Sequence, residues 1–230
     1  TWEKLSINAG SINDLFFINS HEGWAVDYDK RIFHTTDGGN TWVVQDSNLS
    51  CWPQDIFFLN PDTGWIAGGE YGYFGSWWGM ILHTTDGGDT WEQQSMNSSR
   101  GFLSIYFTDP NNGWAVGRGP DDGIVLHTSN GGESWQVQLS GTIGFLYDVY
   151  FIDSNTGWIV GNDSTIGKTV NGGMNWTWQS GADGLSLKEI CFTGPDEGWI
   201  IGGGTILHTE NGGETWEKQE SGISGILTLT

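Results

Sequence analysis

Residues 35–42 read Thr35-Thr36-Asp37-Gly38-Gly39-Asn40-Thr41-Trp42, and the pattern returns as Thr84 to Trp91, Thr128 to Trp135, Thr169 to Trp176 and Thr209 to Trp216. Self-similarity at a near-constant period decides the architecture before any single residue does. Each copy is a turn. Its paired glycines permit the positive φ that a tight reversal needs. Asp37 and Asp86, or Asn130, Asn171 and Asn211, supply a side-chain oxygen for loop N–H groups. The flanking threonines add hydroxyls, and the Trp opens a strand with a large anchor. The fourth copy departs from the others, with Asn175 in place of the second Thr.

Outward from this turn the repeat fills in. Box tryptophans fall at 2, 42, 91, 135, 176 and 216, at intervals of 40, 49, 44, 41 and 40 residues. That is the span of one four-stranded blade. Each interval carries an apolar first strand (Leu15 to Ile18 and its copies) and a polar turn. A Gly-Trp second strand follows (Trp24, Trp65, Trp114, Trp158, Trp199), then a third strand such as Ile32-Phe33-His34-Thr35, which leads into the box. The fourth strand runs on from the box Trp. Pattern, turn chemistry and period agree on an all-β propeller of antiparallel blades, with five complete repeats ending near 42, 91, 135, 176 and 216 in one domain over 1–230. Residues 1–5 read as a fourth strand and 225–230 as a first strand, both belonging to one further, partial blade. An excerpt of a six- to eight-bladed ring is therefore expected over a closed ring of five. The start at Thr1, with no Met or signal peptide, is likewise read as processing or an excerpt.

The turn resembles the Asp-box, or BNR repeat, found on the outer hairpin of propeller blades. With Gly-Trp-aliphatic-Val-Gly and Ile-Leu-His-Thr before it, nearly the whole chain is similar to the photosystem II assembly/stability factor-like propeller family. The resemblance implies a non-catalytic scaffold; in photosynthetic members that scaffold helps to assemble a membrane complex through a basic patch. Other relatives look like secreted or surface proteins. Here the arginines are Arg31, Arg100 and Arg118 alone, and the formal charge is −20.

That charge excludes a nucleic-acid backbone or an anionic membrane surface as partner. No apolar run reaches the ~18 residues of a membrane-spanning helix. Sialidases share the Asp-box but need an arginine triad, and the three arginines here occupy non-equivalent positions. Asp-box glycoside hydrolases need two carboxylates across a cleft, and among so many acids their presence identifies nothing. No nucleophile motif, phosphate loop or metal-ligand spacing stands out. We therefore expect no catalytic residue, metal or cofactor.

Four sets of residues invite a role. Asp14, Asp55, Asp148 and Glu189, with Ser104 in the third copy, precede the first strand. They form either a cation-holding ring at a channel mouth or caps for N–H groups. His34, His83, His127 and His208, with Lys168 in the odd copy, lie one per blade and are expected to pack blades together. Cys51 and Cys191 stand at non-equivalent positions, which argues against a disulfide. Sequons occur at Asn48, Asn97, Asn162 and Asn175, the last expected to be shielded inside its box.

Function is expected where one copy departs from the rest. The second repeat carries Gly68 to Gly79 between its second and third strands, a loop containing Tyr71, Tyr73, Phe74, Trp77 and Trp78. Trp52, Arg100 and Arg118 fall on the same rim, opposite the boxes. Aromatics framed by glycines and polar groups suit a protein partner or a glycan, unless the tryptophans fold back as a plug. The expectation is a recognition or assembly module, extracellular or on the cell surface, with carbohydrate binding or glycoside hydrolysis as the alternative.

Overall fold

In the computed structural model, which describes residues 9–46, 49–71, 77–94, 100–119, 122–179 and 184–219, the described residues form strands and turns and no helix. The first blade is β1 (Ile12–Phe17), β2 (Gly23–Asp27), β3 (Ile32–Thr35) and β4 (Val43–Asp46). The second is β5 (Trp52–Phe58), β6 (Gly64–Tyr71), β7 (Trp77–Thr84) and β8 (Glu92–Gln93). The third is β9 (Gly101–Phe107), β10 (Gly113–Arg118), β11 (Asp122–Thr128) and β12 (Gln136–Ile143). The fourth is β13 (Leu146–Phe151), β14 (Gly157–Gly161), β15 (Ile166–Thr169) and β16 (Thr177–Gln179). The fifth is β17 (Leu187–Phe192), β18 (Gly198–Gly202), β19 (Thr205–Thr209) and β20 (Glu217–Gln219). Each blade is an antiparallel meander in chain order, and β1, β5, β9, β13 and β17 surround one central cavity. The architecture is a five-bladed β-propeller. The segments 1–5 and 225–230 expected to share a blade lie outside the described residues.

Because strands alternate in direction, every box lies on one rim, between the third and fourth strands. The β2–β3 and equivalent connections lie on the other. Inside each box the chemistry repeats. Gly38 and Gly39 take φ of 73° and 86°. Thr35 Oγ1 accepts from Gly39 N at 3.0 Å and donates to Asp37 Oδ1 at 2.9 Å. Asp37 in turn accepts Thr41 N at 2.8 Å and the Thr41 hydroxyl at 2.7 Å. Where Asn replaces Asp the outer hydrogen bond reverses, and Asn130 Nδ2 donates to Ser134 Oγ at 3.0 Å. Asn175 is exposed on its turn rather than shielded, since the box points that position at solvent.

The blades interlock through a second motif. The Gly of every Gly-Trp pair underlies the inner-strand Phe of its own blade; a Cβ at Gly23, Gly64 or Gly198 would enter the ring of Phe17, Phe58 or Phe192. The following Trp is the wholly buried anchor in the first four blades (Trp199 of the fifth is half-buried), whereas the box Trp of those four blades is only half-buried. Trp24 stacks on Phe58 of the next blade at 3.5 Å between centroids, and Trp65–Phe107, Trp114–Phe151 and Trp158–Phe192 repeat this. The other face of four of these tryptophans carries the histidine of its own blade, as in Trp24–His34 at 4.7 Å and Trp65–His83 at 4.9 Å, while Trp158 has Lys168 there. The histidines thus back the interlocking Trp rather than bridge blades themselves. Trp24 Nε1 and Gln45 Nε2 both donate to Gly87 O in the neighbouring box, at 3.0 and 3.1 Å. In the fourth joint Lys168 Nζ takes the equivalent carbonyl, Gly212 O, at 2.7 Å.

The second-repeat insertion is not a loop. β6 and β7 continue as one hairpin to the pair Tyr71↔Trp77, leaving only residues 72–76 outside the described chain. Its glycines serve close packing. A Cβ at Gly79 would collide with Arg100 O, and one at Gly69 with Gly101 Cα, so the arm lies flat on the start of β9.

Candidate functional site

Along each inner strand, alternate side chains face the channel, and a bulge just before the acid position brings one more residue to it, so that the wall is built in layers. The outermost layer is Asn13, Gln54, Leu103, Tyr147 and Lys188, on the side away from the boxes. Next come Asp14, Asp55, Ser104, Asp148 and Glu189. Below them Phe16, Phe57, Tyr106 and Tyr150 form a chain of ring contacts at 5.0–5.4 Å, and Cys191 takes the fifth place. Together they enclose about 610 Å³.

The carboxylates are latches between blades. Asp14 Oδ2 accepts Ile56 N at 2.9 Å, Asp55 Oδ2 accepts Ile105 N at 2.7 Å, and Asp148 Oδ2 accepts Ile190 N at 2.8 Å. Each thus caps an N–H of the next inner strand, so the capping alternative is the one realised, reaching across a joint rather than locally. Ser104 in the odd copy donates to Asp148 Oδ1 at 2.7 Å. Burial, with Asp14 against it, holds the Asp55 carboxyl well above the usual range. Burial likewise raises Asp148 to about 6 despite its hydrogen bonds. Among the described residues no cluster of His, Cys, Asp and Glu has the arrangement of a metal site. Cys51 and Cys191 are both free thiols.

Around this mouth lie five of the eight cationic residues, Lys30, Arg31, Arg100, Arg118 and Lys188. Lys30 sits 5.3 Å from the centroid of the Trp52 ring and pairs with Glu70 at 3.0 Å. Arg31 pairs with Asp27 and Asp29. Arg100 forms a two-pronged pair with Asp122. Arg118 covers Phe145 at 5.5 Å, and its burial lowers its pKa. Lys188 lies 3.2 Å over the Tyr147 ring. The opposite rim is acidic, lined by Glu22, Asp37, Asp62, Asp86, Asp109, Glu133, Asp153, Asp196 and Glu214.

The expected site residues divide accordingly. Cys51 Sγ approaches Trp78 O at 4.0 Å and Gly79 abuts Arg100 O, so Trp52, Trp78 and Arg100 form one stretch of rim. Trp78 is 63% exposed. Tyr71 and Trp77 close the hairpin by backbone pairing, while Tyr73 and Phe74 fall outside the described residues. Arg118 is set apart, beside Phe145. Lys188 and Tyr147 were missed. Their signal was available: at the position before the acid, the five copies read Asn, Gln, Leu, Tyr and Lys.

The model of the family described as "Photosynthesis system II assembly factor YCF48" matches residues 48–145 and 136–222. No curated protein matches the sequence. Among solved structures, a YCF48 bound to a D1 peptide aligns with TM-score 0.50 and 22% identity, over 94% of this chain and 82% of that one. An ancestral GH74 enzyme aligns with TM-score 0.74 and 18% identity, over 94% of this chain and 32% of the other. The GH74 xyloglucanase of Xanthomonas campestris aligns at 0.71 and 12%, over 95% and 39%. At these identities the structural likeness is one of fold.

Proposed function

The chain belongs to the photosynthesis system II assembly factor YCF48 family, and on that premise we propose that it is a non-enzymatic protein-recognition module working through the rim opposite the boxes. The observation that carries this reading is the placement of charge. A chain of net charge −20 gathers five of its eight cations at one channel mouth, four of them over aromatic rings. Cations set on aromatic faces are partly desolvated and strengthen contact with an anionic group. An extended peptide with a free carboxylate fits this chemistry, its anion over Lys188 and Arg118 and an apolar side chain on Trp78. The D1 peptide held by a solved YCF48 supports the class of partner. We place the protein outside the cytoplasm, as the sequon at Asn162 on this rim suggests; fractionation of the native host tests that placement.

The binding test is titration with peptides ending in a free carboxylate, the D1 peptide among them, at two salt concentrations. Trp78→Ala and Lys188→Ala are each expected to weaken binding about tenfold, or about 1.4 kcal/mol, with an unchanged melting point. Added salt weakens it further. Binding to a glycan array that Trp78→Ala abolishes, with no peptide bound, replaces this reading by carbohydrate recognition. Xyloglucan turnover lost on changing one channel acid replaces it by the hydrolase.

A further inference from the structure

The fourth box departs from the other four at its two exposed turn positions, those after the first Thr and after the second Gly. The other boxes place Thr, Ser, Asn, Asp or Glu there; the fourth places Val170 and Met174. Val170 is 68% and Met174 72% exposed, the highest values among the described large hydrophobic side chains. The turn itself does not ask for them. Thr169 and Asn171 hold it with the same hydrogen bonds as their counterparts elsewhere, Gly173 N to Thr169 Oγ1 at 2.9 Å and Asn175 N to Asn171 Oδ1 at 2.9 Å. On the strand that leaves this box, Trp178 is 52% exposed and lies over Gly167, where the other copies carry Phe33, Leu82, Leu126 and Leu207. The adjacent boxes are acidic at the positions of Val170 and Met174. Glu133 of the third and Glu210 and Glu214 of the fifth are exposed, with no ion-pair partner among the described residues. The turns that build this rim contain no Lys or Arg, and Lys168, whose ammonium reaches it, is held by Gly212 O at 2.7 Å.

A charge-free apolar turn framed by carboxylates has the make-up of an interface, with its apolar centre and polar rim. In the chain alone both halves are unfavourable, since apolar surface stands in water and like charges face one another without a counter-ion. We propose that the fourth box is a docking surface for a protein partner that presents a basic segment with interspersed apolar side chains. The apolar side chains cover Val170, Met174 and Trp178, and the flexible thioether of Met174 adapts to their shape. The basic ones lie toward Glu133 on one side and toward Glu210 and Glu214 on the other. Charge selects this class of partner: an acidic rim on a chain of net charge −20 draws a cationic segment in and turns an acidic one away. The surface is separate from the opposite rim and stands whether or not that rim binds a carboxylate. With both in use, the molecule holds two partners of opposite charge on its two faces.

The test titrates the 230-residue chain into fluorescently labelled peptides with an acetylated N-terminus and an amidated C-terminus, so that no free carboxylate is present. One alternates Lys with Leu, one Lys with Ser and one Glu with Leu. The Lys–Leu peptide is expected to bind about tenfold or more tightly than either of the others, and added salt to weaken it. Val170→Glu together with Met174→Glu gives the fourth box the residues that the fifth already carries, so the melting point is expected to stay unchanged. This variant adds two negative charges, yet it is expected to weaken the Lys–Leu peptide about tenfold or more because the apolar contact is gone. Glu133→Lys with Glu214→Lys is expected to do the same by reversing the flanking charge, while Trp78→Ala and Lys188→Ala leave binding unchanged. Four results overturn the proposal. The Lys–Leu peptide does not bind, or binds no better than Lys–Ser. The double Glu variant binds it as well as the parent or better, which leaves only a diffuse field of charge. Trp78→Ala abolishes binding, which moves the peptide to the opposite rim. Or the chain sediments as a dimer that Met174→Glu dissociates, which makes a second copy the occupant.

Discussion

Asp148 accepts hydrogen bonds from Ile190 N, Val149 N and Ser104 Oγ inside the channel, with Glu189, Asp55, Tyr106 and Cys191 as titratable neighbours. Burial raises its pKa to about 6 from the ordinary 3.8. The folded chain therefore holds a proton that the unfolded chain has already lost between these values. The stability this confers is complete below about pH 4 and is lost as pH rises through about 6. Asp148→Asn removes the charge and keeps one acceptor oxygen, for Ile190 N, while its NH2 can donate to the rotatable Ser104 hydroxyl. It is expected to flatten the pH profile and stabilise the protein above pH 6 by on the order of 2 kcal/mol. Asp148→Ala orphans three donors and is expected to destabilise it by about 2–4 kcal/mol at pH 5. Urea titrations from pH 4 to 8 measure both; a profile equally steep in the Asn variant rejects the assignment. The box aspartates work in the opposite sense. Hydrogen bonds from the side chain and backbone of Thr90 lower the Asp86 pKa, so its contribution is lost as pH falls. Asn130 makes the corresponding bonds with a side chain that does not titrate, so those bonds do not depend on pH.

At the scale of elements, the β6–β7 hairpin is the largest departure from the repeat. Its position in the sequence was legible, since Gly68 to Gly79 has no counterpart in the other copies. Its conformation was not. Glycines among aromatics read as a loop, yet Gly69 and Gly79 are there because the backbone of Arg100 and Gly101 passes where a Cβ would sit. Sequence cannot tell a glycine that permits bending from one that permits contact. Gly79→Val is expected to lift the arm from β9 at a cost of about 1–3 kcal/mol. Because Trp78 travels with the arm, the same change is expected to weaken peptide binding as much as Trp78→Ala does. A Gly79→Val variant with native affinity separates the arm from the site. The β13 and β17 strands teach a related lesson. Tyr147 and Lys188 looked like ordinary strand residues, and only the ring brings them together with Arg118 around one mouth.

For the whole molecule, the repeating joint sets both stability and cooperativity. Trp114 is wholly buried, stacks on Phe151 at 3.6 Å and donates to Gly172 O at 3.1 Å. Trp114→Ala is expected to cost about 3–5 kcal/mol. It should also uncouple the blades on either side, so that calorimetry shows two transitions where the parent shows one. A single, merely shifted transition means that stability is spread beyond nearest neighbours.

What the sequence determined alone was everything that is local and repeated. The box turn, the four strands per period and the rim on which the boxes lie follow from chemistry within about forty residues, copied five times. What only the tertiary structure decided was everything that depends on which copies become neighbours. The channel acids reach across joints because the ring sets each Asp beside the next inner strand. Lys168 replaces a histidine because its ammonium reaches the carbonyl of Gly212, 44 residues away. Leu15, Phe17 and Trp199 look like their buried counterparts in sequence, yet they are more exposed in the fold. A repeat encodes both faces of a joint in every copy, but which faces meet is a property of the closed or open ring, and that is fixed only when the blades pack.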